Sequence, residues 1–89
     1  MIESDIEICN KLGLHARAAS QLVSVSSRFS STVHLVSNGR AVDAKSIMAL
    51  LMLGAGKGTH LGLRVNGSDE EVAHAAVVLL INNRFNEAE

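Results

Sequence analysis

Proline, tryptophan and tyrosine are missing from all 89 residues, and the aromatic total is two phenylalanines. With so few stacking rings, and 8 Lys+Arg against 9 Asp+Glu for a net charge of -1, the chain lacks both the platforms and the basic stripe that nucleic-acid binding needs. The single cysteine, Cys9, cannot form an internal disulfide. No apolar run reaches the ~20 residues of a membrane span, and the opening Met1-Ile2-Glu3-Ser4-Asp5 is acidic where a secretory leader has a basic start and an apolar middle. A reducing cytoplasm is the expected address. There is no linker and no internal repeat, so residues 1–89 are expected to form one domain, of a size that hides roughly 60 to 65% of its unfolded surface.

What the chain does contain is a regular succession of patterned segments. Ile6 and Ile8 alternate with Asp5, Glu7 and Cys9, as in a half-buried strand. Ala19, Leu22, Val23 and Phe29 then recur at helical spacing. Thr32–Ser37 reads as a second strand with Val33 and Leu35 on one face, and the turn residues Asn38-Gly39 return it through a short strand, Arg40–Asp43. Ser46 stands where it would cap a short helix, Ile47–Leu53, that ends at Gly54. His60–Asn66 is a strand with Leu61, Leu63 and Val65 inward. Ser68 and Glu71 have the spacing of a capping box for a last helix, expected to bury Val72, Ala75, Ala76, Leu79 and Leu80 and to fray through Asn82-Asn83 into an acidic tail. The order βαββαβα, with inward alternation in the strands, predicts an α+β open-faced sandwich: a four-stranded antiparallel sheet covered on one side by three helices.

The chemistry concentrates between Asn10 and Arg17, Asn-Lys-Leu-Gly-Leu-His-Ala-Arg. Gly13 permits a sharp turn, after which His15 becomes the last non-helical residue before a helix. A helix start offers unpaired amides and a partial positive charge, which together favour anions. The same positive end disfavours imidazolium, leaving a neutral, nucleophilic ring. Arg17 adds a fork of donors suited to phosphate. A phosphorylated His15, held by Arg17 and the amides of Ala16, Arg17 and Ala18, would fit these residues. So would a capping histidine beside a solvated arginine.

Two other features need a reading. The helix Ile47–Leu53 is apolar all round, so some of Ile47, Met48, Leu51 and Met52 should be exposed, and exposed apolar clusters mark partner sites. Gly54-Ala55-Gly56-Lys57-Gly58 resembles a nucleotide loop only superficially, because it follows a helix and has Gly58 where a P-loop has Ser or Thr; a turn is expected. The histidines His15, His34, His60 and His74 are too evenly spread to form a metal-ligand pair with each other or with Cys9. No metal site is expected, and the last three should be solvated.

Leu-Gly-Leu-His-Ala-Arg, Lys-Ser-Ile-Met-Ala-Leu-Leu and Ala-Gly-Lys-Gly, with the spacing between them, resemble the HPr family of histidine phosphocarriers of the bacterial phosphotransferase system, including its nitrogen-branch paralogue NPr. The resemblance spans the chain and implies the same open-faced fold. It implies that His15 takes a phosphoryl group through Nδ1 from enzyme I and gives it to a IIA-type protein, with no cofactor on this chain and no turnover of its own as an enzyme. It further implies that Ser46 is a regulatory phosphorylation site for an HPr kinase/phosphorylase. A monomer is expected. One departure is Ala18, where the family usually has proline, which should loosen the helix start a little and restores an N–H there. The alternatives are a regulatory module of the same fold that works by contacts alone, and a small ligand-binding domain, for which no pocket is legible.

Overall fold

The computed structural model describes residues 1–89. Its elements are β1 (Ile2–Glu7), α1 (Ala16–Ser26), β2 (Thr32–Ser37), β3 (Arg40–Asp43), α2 (Ile47–Leu53), β4 (His60–Asn66) and α3 (Glu70–Asn82), followed by a single turn, Arg84–Asn86. The strands form one antiparallel sheet in the order β1-β4-β2-β3. Register places the apolar positions of neighbouring strands side by side: Ile6 opposite Leu61, and Leu63 and Val65 opposite Leu35 and Val33. These side chains form the helix-facing core together with Ala19 and Leu22 of α1, Leu50 of α2 and Ala73 and Val77 of α3, all buried. The other face is open to solvent, with Glu3, Arg64, His34 and Asp43 in one row across the four strands. No helix is long and apolar enough to cross a membrane.

The first strand starts and ends earlier than the alternation around Ile6 and Ile8 predicts, leaving Ile8 and Cys9 beyond it, and three details of α3 also differ from the sequence-based expectation. Its buried residues are Ala73, Val77, Leu80 and Ile81, whereas Val72 and Leu79 stand 60% and 71% exposed and Ala75 is also outside. The run from Val72 to Ile81 is apolar apart from His74, so the sequence has no polar stripe to set the rotation of the helix. Packing sets it instead. His74, expected in solvent, turns inward far enough for its Nε2 to lie 2.8 Å from Ser4 Oγ on β1. Finally, Ser68 and Glu71 form no capping box. The N-cap is Asp69, whose carboxylate is turned away from its own helix to accept from the Ser30 amide and from the amide and hydroxyl of Ser31.

α1 is closer to expectation. Ala19 and Leu22 are buried, joined by Ala18, Val25 and Ser26, and Val23 packs partly against the core; the helix ends at Ser26, so Phe29 reaches the core from the loop beyond it. On α2 only Leu50 is fully buried; Ile47, Met48, Leu51 and Met52 are 41%, 67%, 38% and 74% exposed.

Candidate functional site

The loop before α1 is built around Gly13, whose φ of +69° lies in the left-handed region. A Cβ there would come within 2.6 Å of the Ala55 carbonyl, so the close approach of the two loops needs glycine at this position. Leu14 donates its amide to that same carbonyl at 2.8 Å, and its side chain is buried. The loop is thereby fastened at its midpoint, and the next residue, His15, is delivered in extended conformation as the N-cap of α1.

As N-cap, His15 accepts at Nδ1 from the Arg17 amide, 3.3 Å away. The amides of Ala16 and Ala18 make no hydrogen bond, and α1 has no acidic residue in its first turn. Ala16 and Arg17 are exposed. Ala18 is fully buried, so its side chain takes no part here. The first turn of the helix itself therefore carries no counter-charge. His15, Arg17 and Lys11 line an open depression of ≈ 700 Å³ over it.

The opposite edge of the ring meets a residue that no motif in the sequence marks. Glu87 Oε2 lies 2.6 Å from His15 Nε2, with the Glu87 side chain only 12% exposed. Glu87 Oε1 in turn accepts from Asn10 Nδ2 at 3.0 Å, and the same amide nitrogen donates to the Gly13 carbonyl at 2.7 Å. The Asn10 donor is the main influence holding the Glu87 carboxyl below its usual range; burial opposes it, and His15 and Arg17 add to the lowering. The helix end beside Nδ1 is thus answered by a carboxylate at the far nitrogen. The helix end alone is visible in the residues around His15, and its counterweight comes from the far end of the chain.

Glu87 arrives by way of an unusual backbone. Arg84, Phe85 and Asn86 all have left-handed φ, at 54°, 53° and 64°. Such a conformation costs about 1–2 kcal/mol for each residue with a side chain. Burial of Phe85, at 1% exposure, and hydrogen bonds from the Asn86 and Glu87 amides back into the turn hold it. The tail, expected to fray, is instead fastened, and Lys11 pairs with Glu89 beyond it. The one signal in the sequence is Phe85, a large apolar side chain in an otherwise acidic tail.

Ser46 is the N-cap of α2 and accepts from the Ala49 amide at 3.2 Å. The loop from Gly54 to Thr59 is a turn, as expected, with Ala55 at its buried centre. No three of the His, Cys, Asp and Glu side chains come together as metal ligands.

The comparisons with known proteins agree with one another. Residues 2–83 match the family model described as the PTS HPr component phosphorylation site. A phosphocarrier protein HPr of Pseudomonas aeruginosa is 54% identical over 86 residues, 96% of each chain, and that of Cupriavidus necator is 49% identical over 89 residues, 100% of each. Among solved structures, HPr from Thermoanaerobacter tengcongensis superposes with a TM-score of 0.95 at 44% identity, with full coverage of both chains. On a family model matched from β1 to the end of α3, and on relatives alike along their whole length, the chain belongs to the HPr family of phosphocarriers.

Proposed function

We propose that this chain carries phosphoryl groups in a phosphoenolpyruvate-dependent phosphotransferase system, accepting them on His15 from enzyme I and passing them to a IIA-type protein in the cytoplasm. The observation that carries the reading is the placement of Nδ1. It faces a helix start whose Ala16 and Ala18 amides are unpaired and whose first turn holds no acidic side chain.

In the proposed step the Nδ1 lone pair attacks phosphorus in line with the bond to the donor imidazole, which leaves with its electron pair. Arg17 and the first-turn amides hold the equatorial oxygens as charge spreads over them. The Arg17 amide, now in a long bond to Nδ1, is free to turn to a phosphoryl oxygen. Phosphoenolpyruvate and Mg²⁺ belong to the enzyme I reaction; this chain contributes no bound cofactor and acts stoichiometrically, as a carrier. Both partners would dock over Ile47, Met48, Leu51 and Met52, whose exposure supplies a small apolar surface suited to brief contact.

Incubation with enzyme I and phosphoenolpyruvate should give one acid-labile, base-stable phosphate per chain, and His15→Ala should remove it with the circular dichroism unchanged. Phosphate persisting on another histidine would overturn the site; no phosphate on the wild type would favour a module working by contacts alone.

A further inference from the structure

The geometry points to Glu87, anchored by Asn10, as a positioning residue that fixes the tautomer of His15 so that Nδ1 is free to take the phosphoryl group. The inference deepens the phosphocarrier reading and rests on it for its kinetic consequence. It follows from a chain of donors and acceptors that can be assigned in only one sense.

The Gly13 carbonyl can only accept. Asn10 must therefore present its NH₂ to that carbonyl at 2.7 Å, and its other N–H is directed at Glu87 Oε1, 3.0 Å away. Asn10 is fully buried, and its Oδ1 has no partner. Rotating the amide by half a turn would set two oxygens against each other on both sides, so the orientation is locked. Glu87, held below its ordinary carboxylate range, is an acceptor only. The 2.6 Å contact then requires the proton to be on His15 Nε2. At the other nitrogen, the Arg17 N–H already occupies the donor's side of the bond, so Nδ1 must hold a lone pair. Both edges of the ring specify the same neutral tautomer, Nε2–H with Nδ1 bare, much as the outer hydrogen-bond partners of metal-ligating histidines do.

During transfer the carboxylate has a second effect. As the Nδ1–P bond forms and the donor's N–P bond breaks, positive charge develops on the His15 ring while the proton stays on Nε2. A carboxylate already in contact with that proton stabilises the charge without rearranging. The left-handed turn at Arg84–Asn86 and the buried Phe85 are what hold it there.

Replacing the carboxylate by its isosteric amide gives a sharp test. In Glu87→Gln the side-chain oxygen must face the Asn10 donor, so its NH₂ faces His15 Nε2. That reverses the demand on the ring: Nε2 becomes the acceptor, and the proton moves to Nδ1, where it blocks the lone pair and opposes the Arg17 N–H. Glu87→Ala only removes the constraint. With ¹⁵N-labelled imidazole in the unphosphorylated proteins, the ring nitrogen shifts should show the Nε2–H form in wild type, a mixture in Glu87→Ala and mainly the Nδ1–H form in Glu87→Gln. Phosphorylation of His15 by enzyme I should slow by about tenfold or more in Glu87→Gln and by less in Glu87→Ala. A merely structural role would give the opposite order, since the isostere would then be the milder change. Unchanged ring shifts in Glu87→Gln, or a Gln variant at least as fast as the Ala variant, would overturn the inference. The nitrogen shifts need no phosphotransfer, so they decide the tautomer even if wild-type His15 proves not to be a phosphoryl acceptor.

Discussion

The beginnings of α1 and α3 are alike in kind and opposite in treatment. α3 opens with Glu70 and Glu71 in its first turn, and Glu70 Oε1 accepts from the Gly67 amide at 3.2 Å. Acids in a first turn offset the positive helix end, so α3 carries its own counter-charge. α1 has no acid in its first turn, a ring nitrogen as cap, unpaired amides at Ala16 and Ala18, and an open depression lined by Ala16 and Arg17. One helix start is closed by the chain itself and holds the fold together. The other keeps unpaired amides beside a ring nitrogen, an arrangement suited to an anion.

The closed end also ties distant segments together. Asp69 receives two amides and a hydroxyl from Ser30 and Ser31, where the chain turns from α1 into β2, and these bonds lower its carboxyl from 3.8 to about 2. The Ser31 hydroxyl is the largest cause and the Ser30 amide the next. Of the three helix starts, breaking this one should cost the most stability. Asp69→Ala should melt well below wild type while its folded form is still phosphorylated on His15. Because the folded value lies below the unfolded one, the ion supplies its full stabilisation above pH 3.8 and loses it as the pH falls to about 2. Melting temperatures of wild type and Asp69→Ala should therefore converge over that interval; a constant gap would remove the ionised carboxylate from the account.

Converting the open end into a closed one sharpens the same contrast. Ala16 is exposed at the first helical position, so Ala16→Glu would give α1 the acidic first turn that α3 already has. Helix stability should rise by about 0.3–1 kcal/mol through the dipole, while phosphorylation of His15 slows because the added carboxylate repels the incoming phosphoryl group. Stability and transfer should move in opposite directions. A variant transferring at the wild-type rate would show that the charge of the helix start is irrelevant to the site.

Much of this arrangement can be read from residues in order, and some cannot. Alternation marks the strands, since Leu61, Leu63 and Val65 can share a face in only one way, and Gly13-Leu14-His15 locates the open helix start. The rotation of α3 is not legible because its central residues offer apolar groups on every side, and the Ser4–His74 contact that accompanies it joins residues 70 apart in sequence. The pairing of Asn10 with Glu87 is hidden for the same reason. They lie 77 residues apart and meet only because a buried Phe85 turns the tail back. Asp69 shows how local and distant demands compete. The sequence around it has the spacing of a capping box, yet its carboxylate serves another loop.

An exposed apolar surface of the molecule lies on α2, and it tests whether docking and chemistry are separate. Met48→Glu should weaken binding to both enzyme I and the acceptor protein, because it puts a charge into an apolar contact that both would share. Met48 is 67% exposed, so the change in stability should stay within about 0.5 kcal/mol. Titration against each partner followed by isotope-labelled NMR would measure it; equal affinity for the variant and wild type would place the docking surface elsewhere.

The start of α2 lies between the two extremes. Ser46 caps it with a neutral hydroxyl on the Ala49 amide, and there is no acid in the first turn, so this end is satisfied in hydrogen bonding but not in charge. A dianion attached to that hydroxyl would be tolerated by the helix, at a gain of a few tenths to about 1 kcal/mol. Its effect would fall on the neighbouring surface, where negative charge would stand beside Ile47 and Met48, the surface proposed for partner docking. Phosphorylation of Ser46 by a dedicated kinase would therefore move α2 from the open class to the closed one and reduce transfer to His15 without touching the ring. Comparison of Ser46→Asp with Ser46→Ala isolates the charge. The alanine variant should lose about 1 kcal/mol of capping and keep the wild-type transfer rate. The aspartate variant should keep the cap, melt near the wild type and accept phosphoryl groups from enzyme I more slowly. Equal transfer rates in the two variants would leave Ser46 as a cap and nothing more.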